Sequence, residues 1–144
     1  MDKNSCYTYF RIVGDFDPET ITDMLQLTPY ETWKKGEKIK NRNNNLIHDS
    51  SSWIFGKCDT YFEDFSHMLF YQINEAMYPF LDKIEVLKQI KKSYDVTFYF
   101  EIVPTIYDNS SSTYFNLPIE VIDFCHETGT EIDIDYYLLP STEN

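Results

Sequence analysis

Val96-Thr-Phe-Tyr-Phe-Glu-Ile-Val103 is the stretch on which the reading of this chain turns. Val96, Phe98, Phe100 and Ile102 share one parity, and Thr97, Tyr99, Glu101 and Val103 the other. Successive side chains of a strand point to opposite faces, so this alternation of β-branched and aromatic residues predicts a strand with one face deep in a core. It is the expected central strand. Pro104 should either end its ladder or fall where no donor is needed.

Downstream, Tyr107 to Ser112 reads as loop and Thr113 to Asn116 as a brief strand. Leu117-Pro118 then opens a helix whose apolar positions are Ile119, Ile122 and Cys125, with Val121 and Phe124 flanking, and Gly129 is its left-handed cap. Thr130 to Leu139 is the last strand: Ile132, Ile134, Tyr136 and Leu138 face one way, Glu131, Asp133, Asp135 and Tyr137 the other.

Upstream, Phe62, Phe65, Leu69, Ile73, Ala76, Met77 and Phe80 recur at steps of three and four from about Thr60, the period of an amphipathic helix. Pro79 should break that run near Tyr78 and start a second helix with Ile84, Leu87 and Ile90 inward. Phe65, Leu69 and Ile73 are the expected partners of Phe98 and Phe100. Ser52 to Gly56 is a short strand closed by its glycine. Tyr7 to Val13 is the first strand, followed by a turn in which Asp17 caps a helix, Pro18 takes the first helical position, and Ile21, Met24 and Leu25 form the buried stripe. Thr28-Pro29 ends that helix. The basic segment Lys34 to Arg42 runs into Asn43-Asn44-Asn45, a loop with strand edges on which Trp33 lies against the sheet.

These elements predict one α+β domain over residues 1–144, a two-layer sandwich with a mixed or antiparallel sheet covered by helices on one face. The expected order is strand, helix, two strands, two helices, strand, short strand, helix, strand. Tyr9-Phe-Arg-Ile-Val13 and Tyr99-Phe-Glu-Ile-Val103 differ at one position, which suggests an internal pseudo-repeat.

At 144 residues the chain is long enough for its own core, and 42% hydrophobic with 17% aromatic content excludes a disordered chain. No apolar run reaches the roughly 18 residues of a spanning helix, and the N-terminus has no export signal, so the expectation is a soluble cytoplasmic protein. Cys6, Cys58 and Cys125 are widely spaced, arguing for reduced thiols over a disulfide framework or zinc site. A net charge of −12 repels nucleic acid and anionic membranes. From Ser93 to Asn144 there are ten acids and no Lys or Arg, which points instead to a basic partner.

Gly14, Phe16, Pro18, Ile21, Leu25, Leu27, Pro29 and Gly36, then Trp53, the paired helices and the closing Gly-x-x-Ile-x-Ile-x-Tyr of Gly129 to Tyr136 carry a resemblance over nearly the whole chain. They resemble a bacterial family, domain of unknown function 4279. The resemblance implies a fold and no established activity, cofactor or catalytic residue.

Asp15-x-Asp17-x-Glu19 lacks the downstream glycine and bidentate Glu of a calcium loop, and helix capping accounts for Asp17. Cys125 and His126 are consecutive on a helix and point about 100° apart, a poor nucleophile pair. His48 and His67 have no ligand-spaced companion. No catalytic, cofactor-binding or metal residue is therefore assigned, and the expectation leans away from an enzyme. Trp33 with Lys34, Lys35, Lys38, Lys40 and Arg42 could grip single-stranded nucleic acid, but the surrounding charge opposes it and a solvated hairpin is the expectation. Glu131, Asp133 and Asp135 are different, since alternation sets three carboxylates on one face, roughly 6.6–6.8 Å apart. With Glu101, Tyr107 and Tyr137 they form the expected partner-binding set. The function expected is a non-enzymatic protein-binding domain with an acidic face, extending to an antitoxin-like or immunity-type inhibitor of a basic protein. The competing reading is a small-ligand-binding protein or an uncharacterised enzyme.

Overall fold

In the computed structural model, which describes residues 3–41, 45–61, 65–110 and 115–142, the alternating stretch lies within β4 (Val96–Tyr107). On one side β4 pairs antiparallel with β1 (Ser5–Gly14). On the other it pairs parallel with β5 (Thr130–Ile134) and β6 (Tyr137–Leu139). β3 (Ser51–Tyr61) lies antiparallel on the far side of β1, and β2 (Glu31–Trp33) closes that end, so the order is β2-β3-β1-β4-β5 with β6 also on β4. The sheet is mixed and the fold is α+β. A parallel pair needs a crossover, and α4 (Ile119–Thr128) supplies it between β4 and β5.

α1 (Pro18–Leu25) starts as the sequence predicts: the Asp17 carboxylate accepts from the Glu19 N–H at 3.1 Å, and Pro18 needs no helical partner at its nitrogen. α2 (Phe65–Met77) runs into a 3₁₀ turn (Tyr78–Phe80), and α3 (Ile84–Ser93) follows. Side chains from all four helices join the even-numbered side chains of β1 and β4 in one core. The Phe10 ring sits 4.5 Å from Phe80, 5.7 Å from Phe98 and 5.6 Å from Phe100, and Phe100 meets Phe124 of α4 at 5.7 Å. Two polar ties fix helices to strands inside this apolar layer. The Trp53 Nε1–H donates to Thr22 Oγ1 at 3.0 Å, and buried Gln72 donates to the Cys6 carbonyl at 2.7 Å while accepting from Thr8 Oγ1 at 3.0 Å. A buried amide without such partners would be strongly destabilising. Ile73 joins the core with Phe98 and Phe100. The expected contacts of Phe65 and Leu69 lie outside the described side chains, and Phe62 outside the described residues.

Several boundaries differ from the sequence expectation for physical reasons. Gly56 does not close β3. Its φ of 75° absorbs an extra residue opposite Tyr9, where the register shifts between Thr8 and Phe10, and the strand continues to Tyr61. The second helix begins at Ile84 and not at Pro79, because the proline is taken up in the 3₁₀ turn. On α4 the buried stripe is Val121, Phe124, Cys125 and Thr128, leaving Ile119 and Ile122 exposed. Gly129 takes the expected left-handed cap with φ 68°. The brief strand expected from Thr113 lies partly outside the described residues, and Phe115 and Asn116 carry no strand pairing. The basic segment forms a hairpin in which Lys38 bridges Ile47; Arg42, Asn43 and Asn44 lie outside the described residues. The two similar pentapeptides are direct antiparallel neighbours, with Phe10 opposite Phe100.

The last strand is divided. Phe98↔Thr130 and Thr105↔Tyr137 have the same offset, so β5 and β6 are one line interrupted at Asp135-Tyr136. The Asp135 N–H donates to the Ile102 carbonyl at 2.9 Å. In a parallel ladder its own carbonyl would next accept from the nitrogen two residues beyond Ile102, and that nitrogen is Pro104, which has no hydrogen. β4 runs on past Pro104, and the missing donor falls at the break in its neighbour.

Phe100→Ala should cost about 3–5 kcal/mol in denaturant melts, because the ring lies between Phe10 and Phe124 at the centre of the core. A loss below about 1 kcal/mol would mean that β4 is not central. Pro104→Ala should supply the absent donor, so the new amide at position 104 is expected to resist hydrogen exchange as its β4 neighbours do; rapid exchange there would refute this cause of the break.

Candidate functional site

The odd-numbered side chains of β1 and β4 point away from the helices. Ile54 and Val103 are buried without belonging to the helix-side core, which marks a second, shallower layer on this face. Register sets its rows. Arg11 stands between Ile54 of β3 and Tyr99 of β4, and Tyr99 lies opposite Glu131. One row further, Tyr9 lies opposite Glu101, and Glu101 opposite Asp133.

The β2–β3–β1 side is cationic and aromatic. The Arg11 guanidinium sits 5.6 Å from the Trp33 ring centre while its Nε–H donates to Ser52 Oγ at 3.0 Å, and Trp33 stacks on His48 at 4.6 Å. This is the sheet contact expected for Trp33. Lys57 Nζ lies 4.6 Å from the Tyr7 ring and 5.5 Å from Tyr30, so its charge faces two π-surfaces. Two clefts flank Trp33, one of about 330 Å³ bordered by Lys38, Lys40 and His48, the other of about 310 Å³ bordered by Asp17, Glu19 and Lys34.

The β4–β5 side is anionic. Glu131, Asp133 and Asp135 are exposed in one line, as alternation predicts, and Glu101 is brought beside them. Its environment differs from theirs, because Glu101 is only 9% exposed. Burial first, then the charge of Asp133, pushes its carboxyl up to about 7; Arg11 opposes this, and a hydrogen bond with Asp133 favours the protonated form. Tyr9 across the strand is raised to about 12, again chiefly by burial and then by Glu101. Tyr137 is exposed, whereas Tyr107 is half-buried with its backbone N–H donating to Asn4 Oδ1 at 2.9 Å.

The expected set is therefore assembled in space but unequal: three exposed acids and Tyr137 present a surface, while Glu101 and Tyr107 lie beneath it. From sequence, none of Arg11, Tyr9, Tyr99 and Lys57 is assigned to a site, and His48 is weighed only as a metal ligand. Tyr7-x-Tyr9-x-Arg11 did carry a signal, since polar and aromatic residues at every second position of a strand belong to its wetter face.

Cys125 offers no nucleophile, because burial pushes its thiol up to about 11, away from the thiolate, and His126 beside it is exposed. Among the described residues no three His, Cys, Asp or Glu side chains gather as a metal would require, and no helix is long and apolar enough to cross a membrane.

A family model described as domain of unknown function (DUF4279) matches residues 4–139. No curated protein and no solved structure matches the chain.

The Glu101 carboxyl gives the face a pH dependence. Unfolded, it loses its proton near 4.5; folded, near 7. Between those values the folded state holds a proton that the unfolded chain has released, so stability falls as pH rises through the window and the loss is complete above it. Wild type should be about 2–3 kcal/mol less stable at pH 8 than at pH 5 from this group, and Glu101→Gln should remove that difference. Parallel denaturant melts at the two pH values check it; an equal slope in both proteins would refute the assignment.

Proposed function

The chain belongs to the DUF4279 family, and we propose that it is a non-enzymatic binding domain that engages a basic protein through the acidic side of its open sheet face. One observation carries this reading: Glu131, Asp133 and Asp135 are exposed in a row in a part of the chain that has no Lys or Arg after Lys92. Among the described residues the ion pairs lie elsewhere, Lys35 with Asp15 and Lys88 with Glu85 and Glu127. Carboxylates held close together without counter-charges repel one another, and a cationic partner relieves that repulsion. Exposed charges of this kind act mainly on the rate of encounter, and Tyr137 beside them supplies aromatic contact area.

An antitoxin-like or immunity-type inhibitor in the bacterial cytoplasm is the biological form of this reading that we favour. Its support is the charge complementarity such a role needs, together with the free, buried thiol of Cys125, which suits a reducing compartment. The small-ligand alternative draws its support from the clefts beside Trp33.

The test is capture of partners from the native cell at low salt and above physiological salt, followed by association kinetics with the identified partner. Asp133→Asn combined with Asp135→Asn should slow association several-fold without altering the melting transition, and added salt should weaken wild-type binding as screening shortens to about 8 Å and below. Indifference to both salt and the substitutions would leave the acids as a solubilising surface and move the clefts beside Trp33 ahead.

A further inference from the structure

Among the described residues, the line formed by β5 and β6 is the last on its side of the sheet. In a strand, neighbouring residues turn their N–H and C=O groups to opposite sides, so register decides which groups face outward. The Asp135 N–H bonds inward to Ile102, and the Leu139 carbonyl accepts inward from Asp108 at 3.0 Å. The odd-numbered residues are thus committed to β4. The backbone groups of Ile132, Ile134, Tyr136 and Leu138 point away from the sheet, and among the described residues none of them is hydrogen-bonded.

Natural proteins usually blunt such an edge with short strands, charged side chains, Pro or a covering element; here the charge is one row of acids, which turns away neutral and acidic strands but not a basic one. This edge carries no Lys, and its first proline is Pro140. Nor is its apolar side covered. Ile132 is half-buried near α4, but Ile134 is 42% exposed, Tyr136 62% and Leu138 64%. The result is an open strand edge with an apolar ladder on the helix side and the Glu131, Asp133, Asp135 row on the other. A second copy fits it badly, because antiparallel pairing about a two-fold axis would set one copy's acids against the other's on the same face, and like charges across a strand pair are destabilising.

We propose that β5–β6 binds its partner by strand addition, the occupant being an extended protein segment with Lys or Arg at every second position and apolar residues between. This rests on the basic-partner reading above and gives it a geometry. Basic side chains of the added strand would lie beside Glu131, Asp133 and Asp135, its apolar side chains beside Ile134, Tyr136 and Leu138, and its backbone would take up the outward groups.

The probe is a capped eight-residue peptide of alternating Lys and Val, compared with a peptide of the same composition in two blocks. Net charge is equal, so a purely electrostatic surface holds both alike. Strand addition predicts binding of the alternating peptide that weakens with salt, exceeds the block peptide about tenfold, and slows exchange at the amides of Ile132, Ile134 and Tyr136. Ile134→Pro removes an outward donor while sparing the inward ladder, so it should weaken that binding about tenfold with all three acids in place. The exchange measurement on wild type decides the matter even where the proline variant fails to fold. Salt-sensitive binding without amide protection, with both peptides held equally, overturns strand addition and leaves the basic-partner reading intact. Binding that ignores salt and Asp133→Asn, Asp135→Asn overturns the basic-partner reading itself. Failure of the alternating peptide to bind, or concentration-dependent dimers that protect the same amides, overturns the proposed occupant.

Discussion

The pairing of β1 with β4 is the constraint on which the rest depends. Along its register Phe10 meets Phe100 and Ile12 meets Phe98, and these rings carry the core. The same register puts Arg11 opposite Tyr99 and Tyr9 opposite Glu101 on the reverse face. A slip of one residue would turn Phe10 out to solvent and drive Arg11 into the layer now filled by Phe80 and Phe124. An unpaired guanidinium there is far more costly than a lost ring contact. Core and candidate site are therefore two readings of one alignment, and selection for either preserves both.

Alternation was legible in the sequence because a half-buried strand imposes a period of two whatever lies beside it. That made β4, the parity of the last strand and the grouping of Glu101 with Asp133 readable in advance. The failures share a cause, namely local signals whose meaning tertiary contact decides. Gly56 reads as a terminator, yet in the sheet its positive φ accommodates a bulge and the strand goes on. Ile119, Val121, Ile122, Phe124 and Cys125 allow two apolar stripes on one helix, and the contact of Phe124 with Phe100 selects the second. The Arg11–Trp33–His48 stack depends on β2 and β3 lining up across the sheet, a long-range fact that no local window contains.

The open face is polarised. Arg11 and Lys57 are held on its β1–β3 side by tryptophan and tyrosine rings, while the acids gather on β4 and β5. Glu101 sits at the boundary, where burial and Asp133 hold back its ionisation and Arg11 promotes it. The raised pKa lets the buried carboxyl hold its proton to higher pH than an exposed one, which relieves repulsion within the acidic row at the point where solvent screens least. The outer acids, in contrast, are exposed to solvent. The face is self-compensating beneath and uncompensated above, an arrangement that tolerates crowded carboxylates without neutralising the surface they present.

Pro104 connects this electrostatic arrangement to the backbone. A residue with an N–H at that position would let β4 bond the Asp135 carbonyl and join β5 to β6 without a break. With proline, β4 keeps its antiparallel register with β1, where Cys6 stands opposite Pro104, and the irregularity is transferred wholly to the outer strand. The break takes in Asp135, the last acid of the row, and Tyr136, the start of the exposed Tyr136-Tyr137-Leu138-Leu139 segment. Since β6 resumes the same offset, the interruption does not turn the side chains of the edge over. The acidic face and the apolar ladder consequently stay in phase on either side of it, and one proline sets an interruption at the centre of an edge whose two faces remain chemically distinct.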